Sequence, residues 1–279
     1  MAARALPCSE GPCSEGPLSE KLPAEPVMEV DKPTKPEAIP RESREGLTLE
    51  RIVGTGIEIA DTEGLETLSM RRVAADLGVG TMSLYRYVSS KDALIELMVD
   101  RVHGEDKNLT PVPDDWRARL ELSALREWRL YSRHPWVLQV IATPQPPLGP
   151  NILADLERAM GALDGLGLDP VMMHWVTIAV SAQVQGAALL RVSEWEAERR
   201  TGVTTRQWRA AKMPMLSEIL ESGQFPMLSS LLERQEEIAH IDEWLWFSLR
   251  RLLDGVAVFV EERENSGSTD LGPGLRKAL

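Results

Sequence analysis

The chain has 279 residues, with 43 Asp and Glu against 31 Lys and Arg, a net charge of -12 and a pI near 5.0. That balance excludes a protein held to nucleic acid by bulk charge. Both cysteines, Cys8 and Cys13, fall near the start, so there is no disulfide framework and no zinc-ligand spacing. With only 3 Tyr and 3 Phe, strand signals are scarce, while helical periodicity sets in from Leu47. The expected fold class is all-α.

Residues 1–44 are rich in Pro, Ser and Glu and repeat CSEGP in tandem at 8–12 and 13–17. Such a segment buries too little apolar surface to offset its ordering entropy, and a disordered tail is expected. Arg41 and Arg44 are the residues in it that suit a minor-groove arm. It has no apolar stretch of the kind a secretory signal needs. A first helix is expected over Thr48–Asp61, capped by Thr48, with Leu49, Ile52, Val53, Ile57 and Ala60 as its buried stripe and Gly64 as its stop.

The stretch 69–91, SMRRVAADLGVGTMSLYRYVSSK, reads as helix, tight turn and second short helix. Met70, Val73, Ala74 and Leu77 share one face, Ser69 sits at the N-cap, and Gly78 follows Leu77 where the chain must turn left-handed. Leu84 and Val88 point inward from the second helix. Thr81, Met82, Ser83, Tyr85, Arg86 and Tyr87 then face outward. The stretch holds four bases (Arg71, Arg72, Arg86, Lys91) against one acid (Asp76), a net +3. Spacing alone fits both an ordinary surface helix and a helix-turn-helix presented to a DNA major groove. Ser90 caps a fourth helix that continues through Leu94, Leu97, Met98 and Val102 toward His103.

The run LGVGTMSLYRYVSSKDAL resembles the DNA-binding signature of TetR-type bacterial regulators. The match lies in Gly78, Val79, Leu84, Tyr85, Tyr87, Lys91 and Leu94. The family usually has Phe where this chain has Val88, and often Ser where it has Gly80. The resemblance implies that Thr81, Met82, Ser83, Tyr85, Arg86 and Tyr87 face the major groove of double-stranded DNA. It casts Tyr85, Tyr87 and Lys91 as phosphate contacts, Arg86 and Ser83 as base readers, and Arg71 or Arg72 as a backbone contact.

After a linker at 109–115, Trp116, Leu120, Leu125 and Trp128 begin a helix ending near Ser132, where RHPW (133–136) breaks it. PQPPLGPN (144–151) is a second break. A helix through Ile152, Leu156, Met160 and Leu163 follows, stopped by Gly165 and Gly167. Asp169 and Pro170 open a long helix to about Leu190, with a polar extension to Arg200. Its apolar run, Val176–Leu190, is interrupted by Gln183 and Gln185 and is short for a bilayer span. Thr204 or Thr205 opens another piece ending around Glu221. In the last helix Ile238, Ile241, Leu245, Leu249, Leu252, Val256 and Phe259 recur at alternating spacings of three and four. That seam suits either a central core helix or a dimer interface.

RHPW, PPLGPN and FSLRRLLDGV resemble the C-terminal domain of the tetracycline-repressor branch. That resemblance implies a pocket for a small-molecule effector and a homodimer built from the helices near 170–192 and 238–262. Ile241, Leu245, Leu249, Leu252 and Val256 are the expected interface, and His103, Trp136, His174, Trp175 and Gln183 the expected pocket residues. The metal-assisted site of the tetracycline repressor is not recognisable here. No catalytic set, metal-ligand spacing or cofactor motif stands out among the 4 histidines or elsewhere. The expected organisation is a tail (1–44), a helix-turn-helix domain (45–105), a helical effector and dimerisation domain (106–263) and a second tail (264–279). The expected protein is a cytoplasmic, ligand-responsive repressor binding a palindromic operator as a homodimer. A helical small-molecule binder that has lost DNA binding, and an enzyme on a helical bundle, are the other classes.

Overall fold

The computed structural model describes residues 46–106, 112–143, 145–232, 234 and 241–266. The N-terminal tail, Ile238, His240 and residues 267–279 lie outside these. All regular structure among the described residues is helical. α1 (Leu49–Glu63) starts where the Thr48 hydroxyl accepts from the Arg51 amide, and it stops at Gly64 with φ +94°. Its stripe is wider than expected: Ile59 is buried and Leu49 only half-buried, because α1 is gripped from two sides. α2 (Met70–Asp76) packs on one side and α4 (Lys91–His103) on the other, with the four-residue α3 (Thr81–Leu84) between them in sequence. Helices α1 and α4 approach so closely that a β-carbon on Gly56 would meet Met98 Sδ at 2.7 Å.

α5 (Trp116–Arg133) is capped by Asp115 and ends at His134–Pro135. Two short helices, α6 (Val137–Ile141) and α10 (Pro226–Leu232), fall where no helix is expected from the residue pattern. α6 exists because Val137 and Leu138 find a buried site, which is a tertiary cause. α7 (Pro150–Gly161) begins with Pro150 in its first turn. α8 (Pro170–Thr201) has Asp169 as its cap, the carboxylate accepting from the Val171 and Met172 amides. α9 (Thr205–Leu220) opens on a capping box between Thr204 and Gln207. α11 runs Ile241–Ser266, past the expected helix end.

α8 lies between α5 and α11 and buries Val180, Val184, Ala187, Ala188 and Val192. By length and composition it could cross a bilayer, contrary to the reading from its glutamines, but those apolar residues face neighbouring helices. The seam of α11 is corrected by this packing. Leu245 and Leu249 are fully buried within the subunit and Val256 nearly so, together with Leu253 and Val260. Ile241 and Leu252 are half-buried against the same core. The heptad pattern is therefore satisfied by α8 of the same chain, and these five residues do not form an outward face.

Candidate functional site

Two sites emerge, joined by α4. The first is the outer face of the α2–α3 pair. Gly78, with φ +67°, makes the left-handed turn after Leu77, and the Val79 amide returns to the Ala74 carbonyl at 3.0 Å. Leu84 and Val88, 0% and 2% exposed, pin α3 to the core. Regular helix ends at Leu84, one turn earlier than the spacing suggested. The chain continues as a turn in which the Tyr87 and Val88 amides both donate to the Leu84 carbonyl, at 2.9 and 3.0 Å. Met82 is 77% exposed, Tyr85, Arg86 and Tyr87 are exposed, and Thr81 and Ser83 are half-exposed. Each therefore stands on the outward face. Lys91 opens α4 at the edge of this face. The two α2 arginines differ. Arg71 is exposed, while Arg72 is held by Glu63 at 2.6 Å and by Asp76.

The second site is a cavity of about 180 Å³ between α4, α5, α7 and α8. Apolar walls come from Val102, Leu120, Leu130, Ile152 and Val180. Set among them is a group of polar side chains, the usual make-up of a small-molecule site. Glu127 lies deep on α5, where its Oε1 accepts from Tyr131 Oη at 2.6 Å, Ser181 Oγ at 2.5 Å and Gln185 Nε2 at 3.4 Å. Burial pushes the Glu127 carboxyl up, against the pull of these three donors. Burial and the neighbouring carboxylate also raise the Tyr131 phenol well above its ordinary range. His103, the last residue of α4, meets Asp155 of α7 through Nδ1 at 2.9 Å. Burial lowers its pKa, and its Nε2 is a buried atom with no hydrogen-bond partner among the described residues. Asp155 also holds Arg158 one turn on. Burial, and then the like charge of Arg126, lower the Arg158 pKa.

α4 carries contacts from one site to the other. At its start Lys91 borders the α3 face. Further along, Arg101 Nη1 donates to the Glu50 carbonyl of α1 at 2.6 Å. On its opposite side Asp100 caps α7, a helix whose own cap, Gly149, has no side chain. Asp100 Oδ1 accepts from the Asn151 and Ile152 amides at 2.8 and 3.3 Å. The Asn151 side chain returns the contact to the Asp100 carbonyl at 2.8 Å. A β-carbon at Gly149 would fall 2.1 Å from Asp100 Oδ1, so glycine is required for this approach. Asp100 and His103 together fasten the C-terminal half of α4 to α7.

Of the five residues expected at a pocket, only His103 lines this cavity. Trp136 is buried elsewhere, its Nε1 donating to Asp61 at 2.7 Å. His174 and Trp175 are exposed on α8. Gln183 turns to α11, donating to Ser248 Oγ at 2.7 Å. The sequence reading passed over Glu127, Asp155, Arg126, Arg158 and Ser181. A signal for Glu127 was present: Leu120, Ala124, Glu127 and Tyr131 are spaced four, three and four apart, so the carboxylate occupies a position on the buried stripe of α5. The place of Asp155 and Arg158 in the cavity lining had no such mark.

Comparison with known proteins bears on both sites. Residues 52–98 match the family described as bacterial regulatory proteins, tetR family, and residues 110–260 match the tetracyclin repressor-like C-terminal domain. The chain is 43% identical over 224 residues to the HTH-type transcriptional repressor DrrR1 of Streptomyces coeruleorubidus, covering 80% of this chain and 82% of that one. It is 31% identical over 185 residues to an HTH-type transcriptional regulator of Saccharopolyspora erythraea, covering 64% and 75%. Among solved structures it resembles the Streptomyces coelicolor TetR family protein ActR in complex with actinorhodin. The TM-score there is 0.61 and the identity 29%, over 76% of this chain and 95% of that one. With both halves matched in order and the α2–α3 face and the helical core in place, the chain belongs to the TetR family of bacterial transcriptional regulators.

Proposed function

We propose that this protein is a ligand-responsive transcriptional repressor that acts in the cytoplasm and binds a palindromic operator as a homodimer. The observation that carries the reading is the α3 face: six outward side chains, including Arg86 and two tyrosines, on a short helix and the turn that follows it, pinned by Leu84 behind a left-handed Gly78 turn. Arg86 and Ser83 read base edges, with guanine the natural partner of Arg86. Tyr85, Tyr87, Lys91 and Arg71 contact phosphates, while Met82 and Thr81 offer apolar contact to thymine methyls. Arg72, occupied by two carboxylates, serves better as a brace between α1 and α2 than as a DNA contact.

The dimer forms through the stripes of α8 and α11 that the subunit leaves uncovered. Trp244, Phe247 and Val258 of α11 and Trp175 and Leu189 of α8 are exposed large apolar residues at helical spacing, which supports that surface. Two heads then meet half-sites about one helical turn apart, roughly 34–36 Å. A small-molecule effector occupies the cavity beside His103, and the similar ActR, solved in complex with actinorhodin, supports a ligand for this fold. The effector shifts operator affinity only as far as it binds one arrangement of the heads better than the other. No step of this reading calls for catalysis, a metal or a cofactor.

The test is selection of bound fragments from a random double-stranded DNA pool, followed by anisotropy across a salt series. A palindrome with affinity falling steeply in salt is the expected result. Absence of any enrichment at low salt would refute the operator reading and leave a helical small-molecule binder in its place.

A further inference from the structure

The RHPW stretch borders the cavity only through Arg133, yet among the described residues it holds one of the most buried polar groups. His134 is 4% exposed. Its Nδ1 lies 2.8 Å from Asp61 Oδ1, near the end of α1, and its Nε2 lies 3.1 Å from Glu105 Oε2, just past the end of α4. Trp136 stands edge-on to the ring and donates its Nε1 to the same Asp61 oxygen at 2.7 Å. Arg133, on the other side, reaches Glu105 at 2.9 Å and Asp106 at 3.5 Å. These are the charged groups that meet around the imidazole from α1, the end of α4 and the α5–α6 corner.

The geometry fixes the protonation state. A neutral imidazole has one N–H and one lone pair. Here both ring nitrogens face carboxylate oxygens, which accept only. A neutral ring would set its lone pair against one of them, so both nitrogens must carry protons. We propose that His134, held as an imidazolium between Asp61 and Glu105, is the positioning residue of a joint that fixes the angle at which the α1–α3 unit presents α3 to DNA. The joint attaches that unit to the helical core at a second point, independent of the contacts α4 makes with α7.

The charge at His134 is stable near neutrality: its two carboxylate partners outweigh the cost of burial and raise the pKa to about 9. Because this value lies above that of an unfolded histidine, the contribution is complete below about pH 6.5 and declines as pH rises, vanishing above about 9. The joint therefore holds near neutrality and loses its charge as pH rises through about 9.

This proposal rests on the operator-binding reading, so its test has one arm that needs no DNA. In that arm, nitrogen chemical shifts of the full chain are followed from pH 6 to 10. Both His134 ring nitrogens should be protonated at pH 7, titrating near 9, and Asp61→Asn should lower that midpoint. In the second arm, the operator selected from the random pool is titrated with wild type, His134→Gln and Asp61→Asn at pH 7. Each variant should lose about tenfold or more in specific affinity, as expected when one partner of a buried charge pair is removed, with non-specific affinity retained. The wild-type specific affinity should also fall as pH rises through about 9, and in Asp61→Asn that fall should begin at lower pH. Circular dichroism and thermal melting check that the variants fold, and Asp61→Asn is the gentler change because asparagine still accepts from Trp136. A singly protonated His134 at pH 7 would overturn the proposal, as would folded variants that bind the operator like wild type. Failure to find any operator would instead count against the operator-binding reading, with the protonation arm still deciding the state of His134.

Discussion

On α3 the polar side chains point into solvent and hold no partner among the described residues, whereas in the cavity beneath α8 nearly every polar group is tied to another. Tyr131, Ser181 and Gln185 converge on one oxygen of Glu127, and Asp155 is shared by His103 and Arg158. The difference fits the two ligands proposed for these sites. A DNA surface brings its own water and counterions, so exposed donors suit it and cost little to maintain. A small molecule enters a low-dielectric space where an unmatched polar group is expensive, so the groups must be held in advance. His103 Nε2, buried in the cavity with no hydrogen-bond partner among the described residues, sits on the helix that leads to the α3 face.

Five substitutions would break or sharpen this contrast, in falling order of effect. Leu84→Ala removes the fully buried pin of α3 and should cost about 2–5 kcal/mol of stability in the α1–α4 unit, measured by chemical denaturation. Operator binding should go with it; full retention of binding would show that the face does not depend on its buried support. Arg86→Ala leaves the fold intact and should cost about 1–3 kcal/mol at the cognate operator while relaxing preference at one position per half-site. Lys91→Ala, by comparison, should weaken all sequences alike and reduce the salt slope by about one. If both variants changed all sequences equally, Arg86 would not be a base reader.

Asp100→Ala uncaps α7 from the side of α4. It should cost about 0.5–2 kcal/mol, with faster hydrogen exchange at the Asn151 and Ile152 amides. Unchanged exchange there would mean another group takes over the cap. Glu127→Gln should have the smallest effect on stability, within about 1 kcal/mol at neutral pH. Its sign is set by burial. The folded protein holds the Glu127 pKa above 4.5, so stability from this group is greatest at low pH and is lost as pH rises through the folded value. Glutamine keeps the donor network without that charge, and the variant's melting temperature should vary less with pH above 4.5. A variant as pH-dependent as wild type would place the titration elsewhere.

The α2–α3 pair was legible from sequence because its signals are local. Ser69, Gly78 and the Leu84–Val88 pair act within a few residues, and caps, left-handed turns and one-face periodicity are written over such distances. The same holds for Thr48, Asp115, Asp169 and Thr204, each of which caps the helix it precedes. The end of regular helix at Leu84 was less visible, since turn and helix share the same spacing there.

The core was a different matter. Leu245, Leu249 and Val256 carry a seam that any apolar helix could fill, and the sequence left open whether the partner belonged to the same chain or to a second copy. Tertiary packing supplied α8. The cavity was likewise decided by packing. His103 and Asp155 stand 52 positions apart, and Glu127 and Ser181 stand 54 apart. His174, Trp175 and Gln183 have the chemistry of pocket residues but lie on other sides of the same long helix. By itself the sequence determined the longer helices, their caps and the outward face of α3, because those depend on neighbours along the chain. The tertiary structure alone decided which buried polar groups meet, since a rotation of α5, α7 or α8 by one residue would have joined different ones.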